Sequence, residues 1–134
     1  MVDRVTFQDF QQTDNPLNGT GIDSTVGLTK LFESLKTREP FLFELRGNNG
    51  FSLTIGFAGD RGCVQHALCD GSPPYLMAVA EDVADDDQFI EFLAGDTPTP
   101  ISRRFCLPIT HVEEIAATFL ARGGRSESVA WEEI

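Results

Sequence analysis

From Phe41 to Ala80 the chain alternates short, apolar-patterned segments with glycine-bearing turns, and that rhythm restricts it to an antiparallel meander. Phe41 to Arg46 sets Phe41, Phe43 and Leu45 on one side, and Asn48-Asn49-Gly50 is a turn. Phe51 to Phe57 then places Leu53, Ile55 and Phe57 together, which gives the sheet a dry face. Gly59-Asp60-Arg61-Gly62 reads as a second hairpin turn and Cys63 to Cys69 as a third strand. Tyr75 to Ala80 follows as a fourth after the Gly71-Ser72-Pro73-Pro74 break.

The flanking segments add helices and further strands. Val5 to Phe10 reads as a first strand, and the Asn-, Pro- and Gly-rich stretch from Asp14 to Asp23 as a loop. Ser24 is placed to cap a helix whose Leu28, Leu31, Phe32 and Leu35 repeat on one face, with Pro40 barring its continuation. Gln88 to Ala94 and Arg103 to Leu107 read as two more strands, separated by the proline-bearing loop Thr97 to Pro100. Near the C-terminus, Thr110-His111-Val112-Glu113 fits a capping box. Val112, Ile115, Ala116, Phe119 and Leu120 fall on one face of the helix it would open, and Gly123 supplies the stop. Val129 to Glu133, carrying the single Trp131, reads as a buried closing strand with Trp131 turned inward. The expected fold is α+β: a mostly antiparallel sheet of about six to eight strands with two main helices packed on it. It is expected to form one domain over residues 1–134.

Charge narrows the range of partners. The 134 residues include 10 Lys or Arg against 21 Asp or Glu, a formal net charge of -11. Such a chain is repelled by phosphate backbones, which argues against direct nucleic-acid binding and in favour of a basic partner. Phe accounts for 11 aromatic residues beside one Trp and one Tyr, a bias toward a dry core. No apolar run approaches the roughly 20 residues needed to span a bilayer. Met1-Val2-Asp3-Arg4 opens with mixed charges instead of an apolar leader, so a cytoplasmic location without membrane attachment is expected.

Several constellations invite a chemical reading. Cys63, His66 and Cys69 have the look of a metal triad, but on a strand His66 faces away from both cysteines, which are themselves about 20 Å apart. Three cysteines without a redox spacing are better read as buried thiols. His66 and His111 are the only imidazoles, and neither has a neighbour in sequence that completes an acid–base set. Glycines 47, 50, 56, 59 and 62 lack the strand-to-helix passage and the Lys-Ser or Lys-Thr ending of a phosphate loop. The acidic run Glu81-Asp82-Val83-Ala84-Asp85-Asp86-Asp87 lacks the spacing of a calcium-binding loop. No catalytic residue, metal or cofactor is therefore expected.

Gly124-Arg125-Ser126 leading to Val129-Ala130-Trp131-Glu132 resembles the closing signature of the first-numbered immunity family of bacterial polymorphic toxin systems. The resemblance extends in the same order over Phe51 to Gly56, Gly59 to His66, Pro73 to Val79, Glu91 to Leu93 and Thr97 to Ile101, with Ser126 standing where many relatives carry a proline. It implies a non-catalytic protein that binds and neutralises a cognate toxin domain, of a deaminase or nuclease type acting on nucleic acid. On that reading the negative potential of Glu81, Asp82, Asp85, Asp86 and Asp87, together with Glu132 and Glu133, steers a basic toxin, and Tyr75 offers an aromatic anchor. Two alternatives compete. One is a general acidic interaction module outside any toxin system, pairing with itself as a homodimer; the other is an enzyme with a pocket around Cys63, His66 or Asp60.

Overall fold

A computed structural model describes residues 4–83 and 88–134. The first half of the chain runs β1 (Val5–Asp9), β2 (Gly21–Ile22), α1 (Thr25–Leu35), β3 (Leu42–Gly47), β4 (Phe51–Ala58), β5 (Arg61–Leu68) and β6 (Leu76–Val79). The second half runs β7 (Phe89–Ala94), β8 (Thr97–Ser102), β9 (Leu107–Pro108), α2 (Ile109–Arg122) and β10 (Ala130–Glu133). The main sheet has the order β10-β6-β5-β4-β3-β1-β2, with β9 added to β5 as an eighth strand. Its neighbours pair antiparallel throughout. The α+β expectation of two helices on a mostly antiparallel sheet describes this arrangement.

The two helices cover one face of the sheet. Leu28, Leu31, Phe32 and Leu35 of α1 and Val112, Ile115, Ala116, Phe119 and Leu120 of α2 bury the faces read from their spacing. They meet Leu53, Ile55 and Phe57 of β4 and Phe43 and Leu45 of β3 in one cluster. Aromatic edges lock its centre, with the Phe32 and Phe57 rings 5.1 Å apart and nearly perpendicular. Ser24 caps α1 as its residue type suggests, its hydroxyl accepting from the Gly27 N–H at 3.1 Å. At the end of α2, Gly123 takes φ 77° and donates its N–H to the Phe119 carbonyl.

The start of α2 corrects the sequence expectation. Thr110 and Glu113 form no capping box: the helix begins at Ile109 with Pro108 as its cap and no side-chain cap hydrogen bond. The cause is tertiary. Leu107 and Pro108 pair with Gly62 and Arg61 of β5, and the Ile109 N–H donates to the Asp60 carbonyl at 2.9 Å. The chain must therefore turn into helix directly as it leaves the sheet, which places Thr110 inside the first turn. Glu113 is drawn instead to Lys36 at the end of α1, at 3.2 Å.

A second correction concerns Thr97 to Pro100. The expected loop is strand β8, paired with β7 in a hairpin that turns through Gly95 and Asp96, both at positive φ. Prolines 98 and 100 fit because β8 pairs with β7 alone, leaving its other side without a ladder to interrupt. Arg103 to Leu107, expected as a strand, forms a 3₁₀ turn over Arg103–Phe105 before the short β9. Ser102 caps that turn by accepting from the Arg104 N–H.

The hairpin covers the face of the main sheet opposite the helices. Phe92, fully buried, lies over Gly56 and Leu42, and Cys63, Met77 and Cys106 complete this smaller cluster. Gly56 is needed for this approach, since a Cβ built on it would stand 2.5 Å from a Phe92 ring carbon. Backbone bonds fasten the hairpin at the far end, from Leu93 N to Pro40 O at 3.0 Å and from Gly95 N to Phe10 O at 2.9 Å. Gln11 and Asp96 add a reciprocal pair at 2.6 and 2.7 Å. Beside them Asp9, completely buried, accepts from the Gln11 and Gln12 N–H groups, from Asn15 and from Arg38.

Candidate functional site

The outer edge of the sheet at β6 and β10 gathers the described residues expected to meet a partner. Trp131 pairs with Ala78 and turns toward α2, its indole N–H donating to the Ser126 carbonyl at 2.9 Å. The inward side chain agrees with expectation, but the strand does not: β10 is the terminal strand of the sheet, with Ala130, Glu132 and Glu133 exposed, not a buried one. A strand paired on a single side leaves alternate backbone groups and side chains to solvent.

Register divides the acidic residues between the two ends of this edge. Glu132 and Glu133 stand opposite Met77 and Leu76, and the Ile134 N–H reaches the Tyr75 carbonyl at 3.0 Å. Tyr75 therefore sits beside the C-terminal end of β10, and its hydroxyl donates to the Gly71 carbonyl. Glu81 and Asp82 lie past the opposite end of β6, six and seven residues beyond Tyr75, a span of about 20 Å along an extended chain. Asp85, Asp86 and Asp87 lie outside the described residues.

Two of these carboxylates are already engaged. Asp82 receives both terminal nitrogens of Arg61, at 2.9 and 2.7 Å, and Arg61 also donates to the Cys106 carbonyl. The guanidinium hydrogen bond holds the Asp82 carboxyl below its usual range. Glu132 is paired with Arg104 of the 3₁₀ turn, which lowers its carboxyl in the same way. Glu81 and Glu133 are exposed and form no salt bridge among the described residues. Sequence reading missed these pairings because Arg61 and Arg104 are 21 and 28 residues from their partners. It also missed that His111 joins Glu81 in lining a hollow of about 230 Å³ with Leu107 and Val129.

Cys63 and His66 lie on strand β5, which ends at Leu68 and leaves Cys69 in the turn that follows, and their side chains part as the alternation requires. Cys63 packs with Phe92 and Cys106 on the hairpin face. His66 packs on the helix face, stacked on Phe51 at 5.0 Å and edge-on to Phe119 and Trp131. Burial raises the Cys63 thiol far from the reactive range and carries Cys106 up to about 11. No cluster of three His, Cys, Asp or Glu side chains suited to a metal ion occurs among the described residues.

His66 has a consequence for acid stability. Burial, helped by the charge of Arg125, lowers its ring from 6.5 to about 4, so folding favours the neutral form. The unfolded chain takes up the proton first. Stability is therefore complete above pH 6.5 and is lost as pH falls toward 4, by on the order of 3 kcal/mol in all. Urea unfolding of wild type and His66→Phe at pH 7 and pH 4.5 measures this. The wild type is expected to lose most of that increment between the two, whereas the Phe variant, which keeps the ring stack, loses markedly less. Equal losses would contradict the buried neutral ring.

No helix among the described residues is long and apolar enough to cross a membrane. No curated protein matches the chain. The family model described as Immunity protein Imm1 matches residues 23–133. That match runs from the approach to α1 through the end of β10 and takes in the helices, the hairpin and the acidic edge. The chain belongs to the Imm1 family of immunity proteins.

Proposed function

We propose that this protein is a non-catalytic inhibitor that binds a cognate polymorphic toxin domain in the cytoplasm, and that the toxin acts on nucleic acid as a deaminase or nuclease. The family match over residues 23–133 carries the reading. The net charge of -11 supports its finer part, because a domain that must approach phosphates presents a basic surface. The contact region is the β6–β10 edge: Tyr75, Glu81, Asp82, Glu132 and Glu133, extended by the charges of Asp85, Asp86 and Asp87. Arg61 and Arg104 hold two carboxylates in place, and Glu81 and Glu133 supply charge that no salt bridge among the described residues engages. Apolar contacts then fix the complex, since steering alone sets the rate of encounter and not its lifetime.

Co-expression with the toxin domain encoded beside the gene tests this directly, with host survival and co-purification scored together. Rescue with a stable complex supports direct inhibition; neither rescue nor complex would remove it. The double substitution of Glu81 and Glu133 by Gln is expected to slow association about threefold to tenfold at low salt while dissociation stays nearly unchanged. An unchanged association rate would exclude this edge as the steering surface. The outer side of β10, which pairs with no other described strand, also favours a second reading, a homodimer formed edge to edge, which light scattering across a concentration series would reveal.

A further inference from the structure

A cleft of about 490 Å³ opens where the ends of β4 and β5 meet the C-terminus of α2. Phe51, Leu68, Pro74 and Leu76 supply its apolar lining, together with the buried His66 and the exposed Arg125. Its size and mixed lining are those of a small-ligand site, mostly apolar with a few polar groups that fix orientation. Phe51, His66, Pro74 and Arg125 come from four separate stretches of the chain, and the fold brings them to one place.

Two features of the cleft are unspent by the rest of the structure. His66 is only 7% exposed, yet among the described residues its ring makes no hydrogen bond. The unbonded nitrogens of this ring are not among the buried atoms left without a partner, so they meet water where His66 lines the cleft, and a ligand group can take that water's place. The exposed Arg125 forms no salt bridge among the described residues, although the chain carries 21 acidic residues against 10 basic. It is the charge that acts on the His66 ring. The negative end of the α2 dipole points the same way, but the Gly123 carbonyl there is occupied by the Asn49 side-chain amide at 2.9 Å, and Arg122 lies in the last turn.

We propose that this cleft binds an apolar group ending in a carboxylate, with the apolar part against Phe51, Leu68 and Leu76 and the carboxylate between Arg125 and His66. A guanidinium matches a carboxylate with two parallel N–H donors, and the imidazole N–H supplies a third. A phosphate would leave most of its oxygens against apolar walls, and a cation would meet Arg125. The carboxyl-terminal residue of a polypeptide and a free acyl-chain acid share this chemistry. The assignment is independent of the immunity reading, because it rests on the cleft and not on the acidic edge.

Titration of the wild-type protein with N-acetyl-leucine, N-acetyl-leucinamide and octanoate, read at the His66 ring by NMR, tests the site. Both acids are expected to shift the ring signal saturably, with half-saturation on the order of 1–10 mM for fragments of this size. The amide and the exposed-site variant Arg125→Gln are each expected to bind about tenfold more weakly. Tighter binding of N-acetyl-leucine than of octanoate assigns the site to peptide termini, and the reverse order to acyl acids. The apparent titration of His66 should move upward in saturating acid, because a carboxylate favours the protonated ring. Absence of saturation with both acids, or equal binding of acid and amide, overturns the proposal. Circular dichroism of Arg125→Gln separates lost binding from lost fold.

Discussion

Replacing Phe92 by alanine is expected to cost about 3–5 kcal/mol, the range for emptying a buried aromatic site, and to lower the unfolding midpoint by on the order of 10 °C or more. Phe92 is fully buried between the β7–β8 hairpin and the face of the main sheet that the helices leave open. Without it the hairpin keeps its backbone bonds to Pro40 and Phe10 but loses its apolar seat. Gly56→Val attacks the same contact from below, since even its Cβ would come 2.5 Å from the Phe92 ring. Overpacking of this kind costs about 1–3 kcal/mol, and more where a strand must shift. The two changes should be far from additive, because shortening Phe92 clears the space that a valine side chain on β4 would need. Urea midpoints of wild type, both single variants and the double variant measure the coupling. Full additivity would show that the Phe92–Gly56 contact does not seat the hairpin.

Removal of the Asp9 carboxylate should be comparably damaging. Its side chain is completely buried, with Arg38 at 2.7 Å and three further donors around it, and Arg38 lies over the Phe41 ring at 3.7 Å. The Arg38 Nη2 is already buried without a hydrogen-bond partner, so Asp9→Ala would strand a guanidinium charge and free two loop N–H groups. Breaking one side of such a pair costs about 3–5 kcal/mol. Burial pushes the Asp9 carboxyl upward, but the donors from Asn15, Gln12, Arg38 and Gln11 together outweigh it and the net shift is downward from 3.8. A lowered carboxyl contributes stability that is present above 3.8 and lost as pH falls through its folded value. The stability difference between wild type and Asp9→Asn should therefore be largest near neutrality and shrink below about pH 4. A difference that grew with acidity would show that the charged form is not the one the fold selects.

Much of the architecture is legible in the residues because its causes are local. The spacing of Leu28, Leu31, Phe32 and Leu35 names the buried side of α1, Ser24 caps it, and Gly123 ends α2. The alternation of Phe43 and Leu45 with Leu53, Ile55 and Phe57 marks one dry face and, with the turn at Asn48 to Gly50, the β3–β4 pairing. Each of these rests on a period or a turn residue within a few positions, so neighbours in sequence suffice to fix it. The part of the site readable in the same way is the side of the strand from which a residue leaves, as with His66 and Cys63 on opposite faces.

What the chain alone determined, then, is the class of fold, the faces of its helices and central strands, its acidity and the family resemblance. Tertiary structure decided where strands end and which carboxylates remain free. Pro98 and Pro100 argue for a loop until the hairpin is seen to pair on one side only, and Thr110 looks like a cap until the Asp60 carbonyl claims the Ile109 N–H. Asp82 and Glu132 resemble their exposed neighbours until Arg61 and Arg104 arrive from distant segments. Hydrogen bonds and ion pairs of this kind depend on which backbone passes within about 3 Å, and that proximity is set by packing the two apolar clusters, not by any pattern within a segment.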